Sequence, residues 1–344
     1  YRASALTALA DKLPPELLSE TLAAAKAIQD ERYRASALTA LADKLPPELL
    51  SETLAAAKAI QDEKYRAIAL ITLADKELLV LPEALAAAKA IQDEKYRAIA
   101  LTTLANKELS VLAEALAAAK AIQDEKYRAI LLSALANKLP PDLLPEALAA
   151  ARSIESESSR AHALSALADK LPQILPEALA AARSIESESS RAHALSALAD
   201  KLPQILPEAL AAARSIESES SRAHALSALA DRLPQILPEA LAAVRAIDND
   251  EHRTNALSAL AEKLTPEFLP EALVAAKTIQ YERYRSIALN ALTSDLSQMS
   301  NVKLFPLWQD TLHELSLRTR PNLLGDIEAL FPVIFALGGQ AAMA

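Results

Sequence analysis

The 344-residue chain has no cysteine and only three glycines, Gly325, Gly338 and Gly339, all near one end. Without cysteine there are no disulfides and no thiolate metal sites, and such a chain suits the cytoplasm. A β fold of this length would need turn glycines throughout. A phosphate-binding loop needs them too, so none can precede Gly325. Aromatic residues make up only 3 %. No apolar run reaches the length of a membrane span, and no signal-peptide pattern stands at the start. Lys and Arg total 36 against 45 Asp and Glu, a net charge of −9. The two signs alternate and form no basic stripe, which argues against nucleic-acid and membrane partners.

What is abundant is alanine and leucine, within an apolar content of 52 %. These are the strongest helix formers, so an all-helical chain is expected. The chain also repeats itself. The stretch ILPEALAAARSIESESSRAHALSALADKLPQ begins at Ile174 and again, unchanged, at Ile205. One arginine marks each unit, at Arg2, Arg34, Arg66, Arg97, Arg128, Arg160, Arg191, Arg222, Arg253 and Arg285. Longer units take their extra residue only between KLP and PEAL or SETL, which marks a loop there. The chain opens in mid-repeat, and this predicts a longer parent protein.

Each unit carries two helical periods. In the quoted unit the first runs from about Pro176 to Ile185, with Leu175, Leu179, Ala182 and Ile185 on one face. Pro176 suits a first helical turn, and Glu177 and Arg183 complement the helix dipole. The second runs from about Glu188 to Leu202, with Ala192, Leu195, Ala199 and Leu202 aligned and Leu198 beside them. Ser187 is placed to cap it, as are Asp30, Asp62, Asp93, Asp124, Ser156, Ser218 and Asn249 elsewhere. Pro203 then ends it. Such short helices are marginal alone and must bury their faces on neighbouring units. The expected fold is an all-α solenoid, a superhelix of about ten helix-turn-helix repeats over residues 1–299. A C-terminal helical capping segment over 300–344 would close it.

Some of these residues resemble the tetratricopeptide class. Leu179–Ala180 is similar to its Leu-Gly pair, Ala192 and Ala199 to its small residues, and Pro203 to its closing proline. The aromatic positions are missing and the units are shorter. DEKYRAIALTTLA, from Asp93, also resembles HEAT-type units. Near-identical arrays that end in a segment like TLHELSLRTRPNLLGDIEALFPVIFALGG look like the C-terminal sensor or scaffold part of bacterial multidomain signal-transduction ATPases. That resemblance implies a module of a larger protein, whose ATPase would lie outside this chain.

For function, the second helix offers a recurring polar stripe: His162, Ser165 and Asp169; His193, Ser196 and Asp200; His224, Ser227 and Asp231. The histidines fall one per unit, roughly 10 Å apart, too far to share a metal. Residues three and seven apart on one helix make no catalytic triad. The stripe is therefore expected either to be a solvated face or to contact a partner. The repeated arginine is expected to pair with a carboxylate. Near the end, Phe305, Trp308, Phe331 and Phe335 are expected to plug the open core, with docking at Trp308, Arg318 and Arg320 as the alternative. The whole reads as a non-catalytic scaffold without cofactor or metal that binds a protein or peptide. The other reading is a passive spacer or self-assembly module.

Overall fold

Asp62, Asp93 and Asp124 each accept the backbone N–H three residues on, in the computed structural model that describes residues 14–42, 44–317 and 320–338. Asp30, Ser156, Ser187, Ser218 and Asn249 do the same, so every expected N-cap is in place. Each starts the second helix of a unit. The first helix starts instead at the proline-bearing turn, several with Pro in the first turn.

The helices alternate accordingly. Residues 18–181 contain α1 (Leu18–Lys26), α2 (Glu31–Ala42), α3 (Pro47–Lys58), α4 (Glu63–Ala74), α5 (Leu81–Ala90), α6 (Glu94–Ala105), α7 (Leu112–Ala121), α8 (Glu125–Ala136), α9 (Leu144–Arg152) and α10 (Glu157–Leu167). After α11 (Leu175–Arg183) come α12 (Glu188–Ala199), α13 (Leu206–Ser215), α14 (Glu219–Ala230), α15 (Leu237–Ala246), α16 (Asp250–Ala261), α17 (Leu269–Lys277) and α18 (Glu282–Ser297). The chain closes on α19 (Asn301–Ser316), α20 (Arg320–Ala329) and α21 (Phe331–Gly338). No strand occurs among the described residues. None of their helices is long and apolar enough to cross a membrane.

The fold is an all-α solenoid. It falls into two compact units, residues 1–181 and 182–344. Within the first, each even helix packs on the next even helix and on the odd helices beside it; α4 touches α5, α6 and α2. The second follows the same rule, α14 touching α12, α13, α15 and α16.

The core is built from small residues on one layer and leucine on the other. In α13 the buried side chains are Ala209, Ala212 and Ala213; in α14 they are Ala223, Leu226, Ser227, Leu229 and Ala230. Each fully buried leucine stabilises by about 1.5–3 kcal/mol. The leucine stripe expected on the first helix is displaced: Leu175 and Leu179 are only half-buried, and Ala178 and Ala182 take the interior. The second helix is also shorter than expected, ending at Ala199. Leu202, before Pro203, leaves the helical region, as the residue preceding a proline does. Pro203–Ile205 is then a 3-10 turn. In the longer unit the extra residue is absorbed in the turn at 140–143, where the repeat comparison placed a loop.

Three devices set the register between neighbouring units. The last turn of one odd helix pairs with the first turn of the next: Lys26–Glu52, Lys58–Glu83, Lys89–Glu114, Lys120–Glu146 and Arg152–Glu177. The second compact unit continues with Arg183–Glu208, Arg214–Glu239 and Arg245–Glu271. The end of an even helix pairs likewise, Asp75 with Lys107, Asn106 with Lys138 at 2.7 Å, Asp200 with Arg232 and Asp231 with Lys263. Third, a carboxylate opening an even helix accepts backbone N–H from the next unit's turn: Glu31 from Gln61 and Asp62, Glu125 from Glu155 and Ser156, Asp250 from Gln280 and Tyr281. These bonds hold Glu31 and Glu125 below the usual carboxylate range. Exposed pairs contribute about 0–1 kcal/mol each, so their combined effect is on alignment more than on stability.

The segment after 300 keeps the two-layer pattern with a different sequence. α19 lies against α17, and Lys277 of α17 reaches Glu314, here in the last turn of α19, at 3.0 Å. α20 lies against α18, where Arg285 donates from Nε to both oxygens of Asp326 at 2.9 Å, both side chains fully buried. Gly325 precedes that aspartate, and a Cβ there would sit 2.5 Å from Glu282 Oε1, the movable end of a flexible side chain. The aromatics do not plug the core. Phe305, Phe331 and Phe335 are exposed, and Leu304, Leu315, Leu330, Val333 and Ile334 do the burying.

Candidate functional site

Helix geometry separates the expected polar stripe into parts. His162, His193 and His224 are exposed, and so are Asp169, Asp200 and Asp231. Ser196 and Ser227 are buried and Ser165 is half-buried. The reason is rotation. Ser196 follows Ala192 by four residues and precedes Ala199 by three, and both alanines face the core. Its hydroxyl donates to the Ala192 carbonyl at 2.8 Å. Asp200 and Asp231 are committed to Arg232 and Lys263 of the following unit. The nine residues therefore do not form one open stripe, and Ser196, His193 and Asp200 do not converge. Among the described residues no three His, Asp or Glu side chains cluster as a metal site.

The repeated arginine also departs from expectation. Its main partners are backbone carbonyls, not carboxylates. Arg66, Arg97, Arg160, Arg191 and Arg222 each donate from Nη1 to the isoleucine carbonyl six residues back and to the carbonyl after it. These carbonyls close the odd helix, so the arginine caps its negative end. Among the described residues, Arg34, Arg128 and Arg285 add a carboxylate, from Glu31, Glu125 and Asp326.

An open apolar surface built by several repeats lies on α4, α6 and α8. Three rows cross it at helical spacing: Lys64, Lys95 and Lys126; Ile68, Ile99 and Ile130; Thr72, Thr103 and Ala134. Ile68 and Ile130 are each 42 % exposed, high for isoleucine in a folded chain. Between α4 and α6 the rows border a groove of about 250 Å³ walled by Ile68, Ile99, Tyr96 and Thr103. The Lys64 ammonium lies 3.4 Å from the centre of the Tyr96 ring, and that of Lys95 3.3 Å from the centre of Tyr127. Interaction with Tyr127 raises Lys95 above the usual lysine range. Ile68, Ile99 and Ile130 stand at the repeat position that His162, His193 and His224 occupy later in the chain. The missed signal was that apolar residues stood at a position that elsewhere takes Ser, His and Asn.

Trp308 is half-buried and borders a shallow groove of about 470 Å³ on α19 with Phe305 and Leu312. Arg318 lies outside the described residues, as does the side chain of Arg320.

No family model matches the chain, and no curated protein matches its sequence. Among solved structures it is similar to Ton1535 from Thermococcus onnurineus NA1, at 19 % identity and TM-score 0.31, over 96 % of this chain and 98 % of that one. It is also similar to a chain of the complex in which Kap95p binding switches RanGDP loops to the GTP-bound conformation. There the identity is 12 % and the TM-score 0.42, over 97 % of this chain and 53 % of that one.

Proposed function

We propose that the chain is a non-catalytic repeat scaffold that binds a segment of a partner protein. The observation that carries this reading is the row Ile68, Ile99 and Ile130 with its groove beside Tyr96. An aliphatic row with Ile68 and Ile130 exposed and Ile99 half-buried between them lowers solubility, whereas it suits a peptide that crosses several repeats. The three register devices serve such a scaffold by keeping the rows aligned. The role as a sensor or scaffold module of a larger cytoplasmic protein rests on the resemblance of the array, and so does its tetratricopeptide-like or HEAT-like geometry.

A random displayed-peptide library selected on the intact chain tests the reading. Enriched peptides should bind the wild type and lose binding to a chain carrying Ile68→Asp, Ile99→Asp and Ile130→Asp. That variant keeps its helicity, because Ile68 and Ile130 are exposed and Ile99 is only half-buried. Enrichment of nothing, or of peptides indifferent to the three changes, would favour a spacer that only positions other domains.

A further inference from the structure

The lysine row specifies the occupant further. Elsewhere on these repeats the cations are spoken for: Lys58, Lys89 and Lys120 pair with Glu83, Glu114 and Glu146, and Lys107 and Lys138 pair with Asp75 and Asn106. Lys64, Lys95 and Lys126 form no ion pair among the described residues. Most of the acids beside them accept backbone N–H groups, although Asp62, Asp93 and Asp124 stay exposed. Asp62, Asp93 and Asp124 cap their own helices. Glu63 accepts the N–H of Gln92, and Glu125 those of Glu155 and Ser156; Glu94 remains exposed. Two of the three ammonium groups are held over tyrosine rings, which position the charge without neutralising it. On a chain of net charge −9, this sets a row of three lysines outside any ion pair alongside a row of aliphatic side chains.

Spacing sets the form of the occupant. Packed neighbouring helices stand about 8–10 Å apart. An extended chain of the polyproline type advances about 3.1 Å per residue with three residues per turn, so one turn spans one repeat. Lys and Ile rows are four residues apart on each helix, about 6 Å at 1.5 Å per residue, the width of a single extended strand rather than of a helix.

Resting on the scaffold reading above, we propose that α4, α6 and α8 take an extended acidic segment of another protein, with an apolar residue at every third position on the isoleucines and carboxylates between them on Lys64, Lys95 and Lys126.

Synthetic peptides of repeated Leu-Glu-Pro triplets test this, since proline at every third position excludes a helix. Partners for comparison are Leu-Gln-Pro, Leu-Lys-Pro and an order-scrambled Leu-Glu-Pro peptide, read by fluorescence anisotropy against the intact chain. Leu-Glu-Pro should bind at least about tenfold more tightly than the other three and weaken with added salt. The triple change Lys64→Glu, Lys95→Glu and Lys126→Glu should shift the preference to Leu-Lys-Pro. Equal binding of Leu-Gln-Pro, lost on Ile99→Asp, would overturn the acidic specificity while leaving the scaffold reading intact. Equal binding of the scrambled peptide would overturn the three-residue register. If no triplet peptide binds although library peptides do at the isoleucine row, the proposal fails alone. If neither binds there, both fail.

Discussion

The even helices of residues 63–136 and those of residues 188–230 have closely similar interiors and different exteriors. Leu101 in α6 and Leu195 in α12 are both buried, and Arg97 and Arg191 clamp the same pair of carbonyls. On the outside, Lys95, Ile99 and Thr103 are replaced by Ser189, His193 and Ala197, and Tyr96 by Ser190. Duplication copies an interface that must fit its own neighbours, so the interior resists change. The exterior answers only to solvent and partners. The larger differences on the exterior are therefore where a partner's chemistry is to be read. Ile287 of α18 is exposed at the same position, but Asn255 precedes it, so no row forms there.

The largest effect should come where the shared interior ends. Asp326→Ala leaves the fully buried Arg285 without its carboxylate. Loss of one partner from a buried pair costs about 3–5 kcal/mol, measured by urea unfolding. Peptide binding at α4 to α8 should not change. Next, Leu101→Ala and Leu195→Ala should each cost about 2–5 kcal/mol, and should match closely if the two interiors are equivalent. A difference as large as either effect would break the comparison.

Acid should act on the rungs. Hydrogen bonds from Arg152, Arg183 and Arg214 hold Glu177, Glu208 and Glu239 below the usual carboxylate range. A carboxylate depressed on folding stabilises above its unfolded pKa, about 4.3 for glutamate, and that stabilisation is lost as pH falls through the folded value. Melting temperature should thus be flat near neutrality and drop below about pH 4. Carboxyl titrations by NMR should place these three midpoints below the ordinary glutamate value. The smallest effect on stability should come from the exterior itself: Ile99→His and His193→Ile should each shift stability by less than about 0.5 kcal/mol.

The caps at Asp62, Ser187 and Asn249 were legible because an N-cap depends on residues adjacent in sequence. So was the loop that absorbs insertions, whereas the second helix stops at Ala199, short of the end expected at Leu202. The arginine clamp was not, since its partners are main-chain carbonyls that carry no sequence signal. The rung Arg183–Glu208 was half-legible: Glu177 and Arg183 were read as serving one helix dipole, although a separation of 25 residues in a 31-residue repeat joins adjacent helices end to end. Ser196 was misplaced because residues three and seven after His193 differ by a rotation that carries one inward and leaves the other in solvent. The polar period alone does not show which way the helix turns.

The central claim is that partner recognition sits on the exterior of α4, α6 and α8, and an exchange of exteriors tests it most directly. In one chain, Lys64, Ile68 and Thr72, with Lys95, Ile99, Thr103, Lys126 and Ile130, become the serine, histidine and alanine of the later repeats. In the other, Ser189, Ser190, His193 and Ala197, with Ser220, Ser221, His224 and Ala228, become the lysine, tyrosine, isoleucine and threonine of the earlier ones. Binding of library-selected peptides is then measured by calorimetry on both. The account predicts that the first chain loses binding and the second gains a further site, with both still folded. Undiminished binding by the first chain would contradict it.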